Sequence, residues 1–378
     1  MSNIPRTNHF IWLRYLAAFS IVFSHSKQFD TAPQSYIDIV ATLTWFVPGV
    51  PILFFISGFL ITLSSSNSDS LTAFFVKRVL RVYPPLWAAF SVSLVLIFSL
   101  GMVDLHGQDW LKFLLWSVGQ LTVVFFYHPD FLSHVGTGVL NGSLWVIPVI
   151  LQFYLGLPLL KKLDAYWVRR GKTHYIYVVL ILCGIFNMVF HYFNNFHPNN
   201  VTKVIHFLTF LPWLFFFILG YVFSRDFGRI SRLTKYASPW FLLHVTLFTL
   251  LAWLGFRWGR NDINPILFTV LAFFILSIAF KAPSKSTLFN KIEKAIAKND
   301  VSFGLFVYQM VVLNTMMFLG VFEDNWSARL ATFLIATIVI SAASLILLEK
   351  PLRNRRDWFI KVLSTGHKRS KRVDSKQN

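Results

Sequence analysis

Charge is scarce in this chain. Of its 378 residues only 13% are charged, where an ordinary soluble domain carries roughly a quarter. The long apolar runs contain no Asp or Glu in their interiors. That gap argues against ion- or proton-coupled transport, which commonly uses buried carboxylates as relays. There is one cysteine, Cys183, so an intramolecular disulfide is excluded. His106, His128, His134, His191, His197 and His206 are scattered, and none forms the His-x-x-x-His spacing of a metal site. No internal repeat and no nucleic-acid-binding motif is present. The first apolar segment carries Arg14 and is followed by no small-residue cleavage pattern, so it reads as a retained helix.

Apolar and aromatic residues take the place of charge. The chain is 55% hydrophobic and 18% aromatic, with 42 Phe and 13 Trp. Such side chains suit lipid-facing and interfacial positions. The net charge of +19 comes from short basic clusters between apolar runs. Attraction to anionic lipid headgroups explains that pattern more simply than nucleic-acid binding.

A spanning helix needs about 20 mostly apolar residues. Runs of that kind lie near 9–27, 43–64, 85–103, 111–127, 143–160, 174–193, 204–223, 238–256, 263–280, 301–322 and 327–348. The basic connections are Lys77-Arg78-Arg81, Lys161 to Lys172, Arg225 to Lys235, Lys281 to Lys298 and the tail from Lys350. Placing them in the cytoplasm makes the two classes of connection alternate, except around 111–127. That run is short and carries Lys112 and Gln120, so it is expected to lie at the outer interface or to re-enter. The sequence therefore predicts an all-α polytopic membrane protein with about ten transmembrane helices, one interfacial or re-entrant segment, and both termini in the cytoplasm. Residues 1–352 form the integral membrane domain and 353–378 a basic cytoplasmic tail. The stretch from Lys281 to Lys298 reads as a cytoplasmic amphipathic helix.

Several constellations carry potential chemistry. Arg14 and His25 share one helix; eleven residues bring them back to nearly the same face, about 16 Å apart along the axis. Ionisable groups at membrane depth are costly and mark functional sites. Equally, Arg14 can snorkel to one interface while His25 caps the other end. Lys77, Arg78 and Arg81 precede Tyr83-Pro84-Pro85. Arg78 and Arg81 at i,i+3 face one way, as phosphate recognition needs; a plain positive-inside anchor would look the same. Ser57 and Gly58 lie mid-helix in Phe54 to Leu60, where small residues usually serve close helix packing. Ser143-Leu144-Trp145 opens a helix through Pro148, expected to kink it, to Gln152 and Tyr154. Gln152 faces a cavity or bonds to a neighbouring helix.

These pieces, taken in order, resemble acyltransferase family 3, membrane proteins that acylate sugars of surface polysaccharides and related acceptors. Trp12-Leu13-Arg14-Tyr15-Leu16-Ala17-Ala18 through His25 is similar to the family's Arg…Ala…His signature. Phe54 to Leu60 resembles its Phe-Phe-x-x-Ser-Gly-Phe-Leu segment, and Lys77 to Pro84 its Arg-x-x-Arg…Pro motif. Ser143-Leu144-Trp145…Pro148…Gln152-Phe153-Tyr154 resembles its Ser-Leu-Trp helix. Ser302-Phe303-Gly304 and Glu349-Lys350-Pro351 match two later landmarks. The chain departs from the pattern at Ile150, where the family often has Glu, and at Gln309, where it often has His. Both changes remove an acid–base partner.

The resemblance implies an O-acyltransferase of the bacterial cytoplasmic (inner) membrane. Its donor would be acetyl-CoA or another acyl-CoA, and its acceptor a glycan or lipid-linked sugar. Lys77, Arg78 and Arg81 would hold the CoA phosphates. His25 would act as general base or brief acyl carrier, and Arg14 would stabilise developing negative charge. Ser57, Trp145, Gln152, Tyr154 and Gln309 would line the substrate cavity. No metal is expected. The competing classes are a transporter or flippase of a lipid-linked sugar and an inactive family member acting as a scaffold. Transfer of label from acyl-CoA separates these readings.

Overall fold

The structure, a computed structural model, describes residues 4–5, 8–66, 70–256, 261, 263–281 and 286–362. Among the described residues all regular structure is helical. The α-helices are α1 Phe10–Ser26, α2 Gln34–Phe46, α3 Gly49–Ser66, α4 Leu71–Ser99, α5 Asp109–Leu121, α6 Val146–Arg169, α7 Tyr175–Phe196 and α8 Asn200–Leu208. They continue with α9 Leu214–Arg225, α10 Phe227–Leu233, α11 Ser238–Trp253, α12 Pro265–Ala279, α13 Thr287–Lys298, α14 Ser302–Phe318, α15 Trp326–Ser344 and α16 Lys350–Asn354. Of the expected tail 353–378, residues 363–378 lie outside the described residues.

Among the described residues, five stretches are long and apolar enough to cross a membrane: Gln34–Ser65, Leu71–Ser99, Gly142–Arg169, Tyr175–Phe196 and Trp326–Asn354. Three bent helix pairs raise the number to eight, and α1 and α12 are shorter apolar helices. The described residues are thus those of a helical integral membrane protein.

The runs read from sequence are not all straight rods. The run 204–223 is broken: α8 meets the Leu211–Arg225 stretch at 63°. Gln152 of α6 stabilises the break. Its Nε2 donates to the Leu208 carbonyl at 2.7 Å, and its Oε1 accepts from the Phe210 N–H at 3.0 Å. These satisfy backbone groups that a broken helix leaves without intrahelical partners. The expectation for Pro148 is also corrected. A 3₁₀ turn, Gly142–Trp145, leads into α6 at Val146, which puts Pro148 in the first turn of α6. An N–H is dispensable there, so the proline starts the helix instead of kinking it.

The run 111–127 is helical only over α5, whose 13 residues rise about 20 Å, well short of the roughly 30 Å hydrocarbon core. It buries Trp116 and Gln120 but exposes Trp110, Leu111, Leu114 and Leu115. Conversely, α4 begins well before the run 85–103 and passes unbroken through Pro84 and Pro85. Ser70 caps it by accepting from the Ala73 N–H at 3.1 Å. Lys77, Arg78 and Arg81 therefore ride on the same helix as the apolar span.

The main core joins α1, α3, α6, α9, α12 and α14. At its centre α3 and α9 touch backbone to backbone. A Cβ at Gly58 would fall on the Phe217 carbonyl oxygen, and one at Gly220 on that of Phe55. The glycine of the Ser57-Gly58 pair thus serves close packing, as small residues do between membrane helices. Phe54, Phe55 and Phe59 around it are fully buried.

Candidate functional site

Three cavities lie end to end among these helices. The first, of about 370 Å³, is a basic mouth lined by Lys77, Arg78, Arg81, Asp300, Glu349 and Arg353 among others. The second, of about 90 Å³, is a narrow chamber lined by Ser57, Ile61, Ile150 and Tyr154. Arg14, Arg78, Arg81 and Phe303 belong to the walls of both. The third, of about 240 Å³, holds His25 and Trp145 and shares Val146 and Phe306 with the narrow chamber. The two ends of the row are thus joined through common walls.

At the mouth, Arg14 Nη1 pairs with Asp300 Oδ2 at 2.6 Å. Asp300 occupies the corner between α13 and α14, where its Oδ1 accepts from the N–H and the hydroxyl of Ser302 at 3.1 and 2.6 Å. One carboxylate thereby accepts the first N–H of α14, where the helix dipole favours negative charge, and fixes a guanidinium of α1. Arg78 Nη2 donates to Ser64 Oγ at 2.5 Å, and its guanidinium sits 5.5 Å from the Phe74 ring and 5.7 Å from the Tyr154 ring. Arg14 Nε and Arg78 Nε are buried with no partner among the described residues. Buried donors of this kind require an explanation. Arg81 is exposed at the same opening.

The far cavity is polar. Ser20, Ser24, Thr44, Ser143, Asn194, Asn195, His206 and Asn261 contribute to it. Trp145 forms an aromatic wall with His206, Phe207 and Trp213, with ring centroids 5.8, 5.5 and 5.1 Å away. His25 stands in the last turn of α1, and Gln28 Nε2 lies 2.8 Å from its Nδ1. With that amide donating, Nδ1 is the acceptor and the ring proton sits on Nε2. With the amide turned over, Gln28 Oε1 accepts from Nδ1–H and Nε2 keeps a lone pair. The orientation of the Gln28 amide thus bears on which ring nitrogen carries the proton. The segment after α1 is itself tethered. Fully buried Arg329 of α15 donates to Asp30 Oδ1 at 2.9 Å and Thr31 Oγ1 at 2.6 Å, and its guanidinium lies 4.7 Å from the Phe29 ring.

The structure brings Arg14, Lys77, Arg78 and Arg81 together at the basic end, Ser57 and Tyr154 in the narrow chamber beside it, and His25 with Trp145 at the other end. Gln152 and Gln309 line none of the three cavities. Gln152 bridges the helix break described above. Gln309 is fully buried in α14, with Nε2 donating to the Phe306 carbonyl at 3.4 Å. Ile150, the family's Glu position, is part of the narrow chamber's wall, which lacks a carboxylate among its lining residues.

The reading from sequence missed Asp300, Gln28 and Arg329, and it named Glu349 only as a family landmark, with no place in the site. Asp300 and Glu349 lie one residue outside apolar runs, so the absence of acid from those runs concealed them. An acidic residue just ahead of the apolar run from 301 was the available signal, since negative charge is favoured at a helix start. Among the described residues no cluster of His, Cys, Asp and Glu is arranged to hold a metal ion.

Comparison with known proteins identifies the family of the chain. Over 373 residues the chain is 28% identical to Nodulation protein 10 of Rhizobium leguminosarum bv. viciae, covering 93% of this chain and 95% of that one. It is 22% identical to an O-acetyl transferase of Shigella phage Sf6 over 336 residues, 82% of this chain and 87% of the relative. It is 28% identical to the acyltransferase MdmB of Streptomyces mycarofaciens over 155 residues, 40% and 38% of the two chains. No solved structure matches the chain. The family model for the acyltransferase domain, family 3 of the acyltransferases, matches residues 8–349, which include every cavity-lining residue named above except Arg353. The chain belongs to that family and is a membrane-embedded acyltransferase.

Proposed function

We propose that this protein moves an acyl group, acetyl in the simplest case, from cytoplasmic acyl-CoA to a hydroxyl of a surface-polysaccharide or lipid-linked sugar. The observation that carries the reading is the row of three cavities, basic at one end and polar with a histidine at the other. The relative whose name is O-acetyl transferase supports transfer to oxygen. In this reading about ten crossings hold residues 1–352 in the bacterial cytoplasmic membrane, with both termini and the 353–378 tail in the cytoplasm. The basic mouth then faces the cytoplasm, as the positive-inside rule requires.

Each part of the row has a role. Lys77, Arg78 and Arg81 bind the CoA phosphates by charge-assisted hydrogen bonds. The narrow apolar chamber takes the slender pantetheine arm. Trp145 and the amides of the far cavity receive the sugar, with an aromatic wall for its apolar face and donors and acceptors for its hydroxyls. With Gln28 accepting from Nδ1–H, His25 Nε2 takes the proton of the sugar hydroxyl as its oxygen attacks the thioester carbonyl. The new C–O bond forms, the C–S bond breaks, and the proton held by His25 passes to the departing sulfur. Arg14 orients the donor and counters negative charge near the mouth.

The test uses purified protein, radiolabelled acetyl-CoA and the native glycan. Label should appear on the glycan with wild type and be lost with His25→Ala. Full transfer by His25→Ala would sink the catalytic assignment, and movement of the sugar without label would favour the flippase reading.

A further inference from the structure

A separate pocket of about 660 Å³ opens at the basic end of the bundle, between α6, α7, α9 and α10. It shares no lining residue with the three cavities above. Its wall holds four cations, Lys161, Arg225, Arg229 and Arg232, against two carboxylates, Asp164 and Asp226, an excess of two positive charges.

Internal pairing already engages the carboxylates. Asp164 Oδ2 accepts from Tyr221 Oη at 2.8 Å and from Arg225 Nε at 3.2 Å, while its Oδ1 accepts from Tyr175 Oη at 3.1 Å. Asp226 Oδ2 accepts from Tyr177 Oη at 2.6 Å. Arg225 Nη2 donates to the Thr173 carbonyl at 3.1 Å. Arg225 Nη1, by contrast, is buried with no partner among the described residues. The guanidinium is held in place on two edges and leaves a third donor unused in the wall of a cationic pocket. A phosphate oxygen matches that donor in charge and geometry.

The surroundings favour a lipid. Trp167 stacks on Tyr175 with ring centroids 5.9 Å apart, Arg170 lies 4.2 Å from the Tyr166 ring, and Lys172 lies 5.2 Å from the Trp167 ring. Such aromatic and basic residues mark the headgroup level of a membrane. Further along α6, Leu155 and Leu159 are exposed, as acyl-chain contact requires.

We propose that this pocket binds a phosphate group through Arg225, Arg229, Arg232 and Lys161, its source being the headgroup of an anionic phospholipid in the adjoining leaflet. The nucleotide end of an acyl donor carries the same chemistry and is the other source to be separated. The assignment does not depend on the acyl-transfer mechanism.

The experiment measures binding to the full chain, purified in detergent, by native mass spectrometry. The probes are phosphatidylglycerol, phosphatidylcholine as the neutral lipid, and adenosine 3′,5′-bisphosphate. Lys161→Gln with Arg232→Gln should weaken phosphatidylglycerol binding about tenfold, as expected for two lost charge-assisted contacts, and leave phosphatidylcholine unchanged. If only the bisphosphate is weakened, the phosphate site stands and its source is the nucleotide. If the variant binds both anionic probes as wild type does, the proposal is overturned. Arg232 is exposed, so Arg232→Gln alone keeps the measurement available if the double variant does not fold.

Discussion

Arg14 on α1 and Asp300 at the head of α14 are joined by a 2.6 Å ion pair, although 286 positions separate them in the chain. The pair locks the first helix to the late helices at the basic mouth. It also reduces the positive charge of the mouth, since one of the arginines there is paired.

Both partners of this pair are largely shielded, at 22% and 15% side-chain exposure, and breaking such a pair leaves a charge uncompensated. Asp300→Ala should destabilise the protein by about 3 kcal/mol, read as a lower unfolding midpoint in detergent. The double variant Arg14→Met with Asp300→Ala should recover part of that loss. A double variant as unstable as the sum of its singles would show that the two residues are not coupled.

Gln28 should act through His25. Gln28→Ala is expected to lower kcat roughly tenfold, a fraction of the 10²–10⁴-fold attributed to general base catalysis, with KM for the donor little changed. Gln28→Glu would place a carboxylate beside Nδ1 and stabilise the protonated imidazole. A base that is harder to deprotonate works only at higher pH, so the acid limb of the rate profile should move upward. A profile superimposable on wild type would remove Gln28 from the mechanism.

Arg78 is held by Ser64 and by two rings, whereas Arg81 is exposed. Arg78→Ala with Arg81→Ala should weaken CoA binding roughly ten- to hundredfold, given about 1.5–3 kcal/mol for a hydrogen bond to a charged group. Arg78 should account for most of it. Isothermal titration with CoA measures the effect, and unchanged affinity would reduce the pair to a topology anchor.

Adjacent residues of α3 should respond in opposite ways. Gly58→Ala drives a methyl onto the Phe217 carbonyl and should cost about 1–3 kcal/mol as overpacking. Ser57→Ala, at the wall of the narrow chamber, should leave the melting temperature close to wild type. Equal tolerance at the two positions would contradict the close α3–α9 approach.

Gln152→Ala removes both hydrogen bonds that bridge the α8–α9 break. The stranded backbone groups should cost about 1–3 kcal/mol and lower thermal stability. Because Gln152 lines none of the cavities, KM for the acyl donor should hold; a large rise in KM with unchanged stability would return it to the substrate site.

Much of the architecture was legible without coordinates. Helical class, membrane embedding and the basic cluster at the foot of α4 follow from apolar run length and charge placement, which are local properties. That Arg14 and His25 share one helix was also legible, and α1 carries both. The shortness of α5 was likewise signalled by Lys112 and Gln120. The break at α8–α9 was not legible, because a partner on α6 satisfies its stranded backbone groups. Pro148 misled because its effect depends on where the helix begins, which a single residue does not declare.

By itself, then, the sequence determined that this chain folds as membrane helices and which of them carry ionisable groups, since hydrocarbon demands a fully paired backbone and apolar runs of about 20 residues meet that demand as helices. Tertiary structure alone decided which of those groups meet. It set Asp300 on Arg14, Gln28 beside His25 with Arg329 anchoring the loop that follows, and Gln309 in the core away from the cavities. The reason is physical: pairing across hundreds of residues depends on how helices cross and how closely glycines let them approach, and no local pattern encodes those distances.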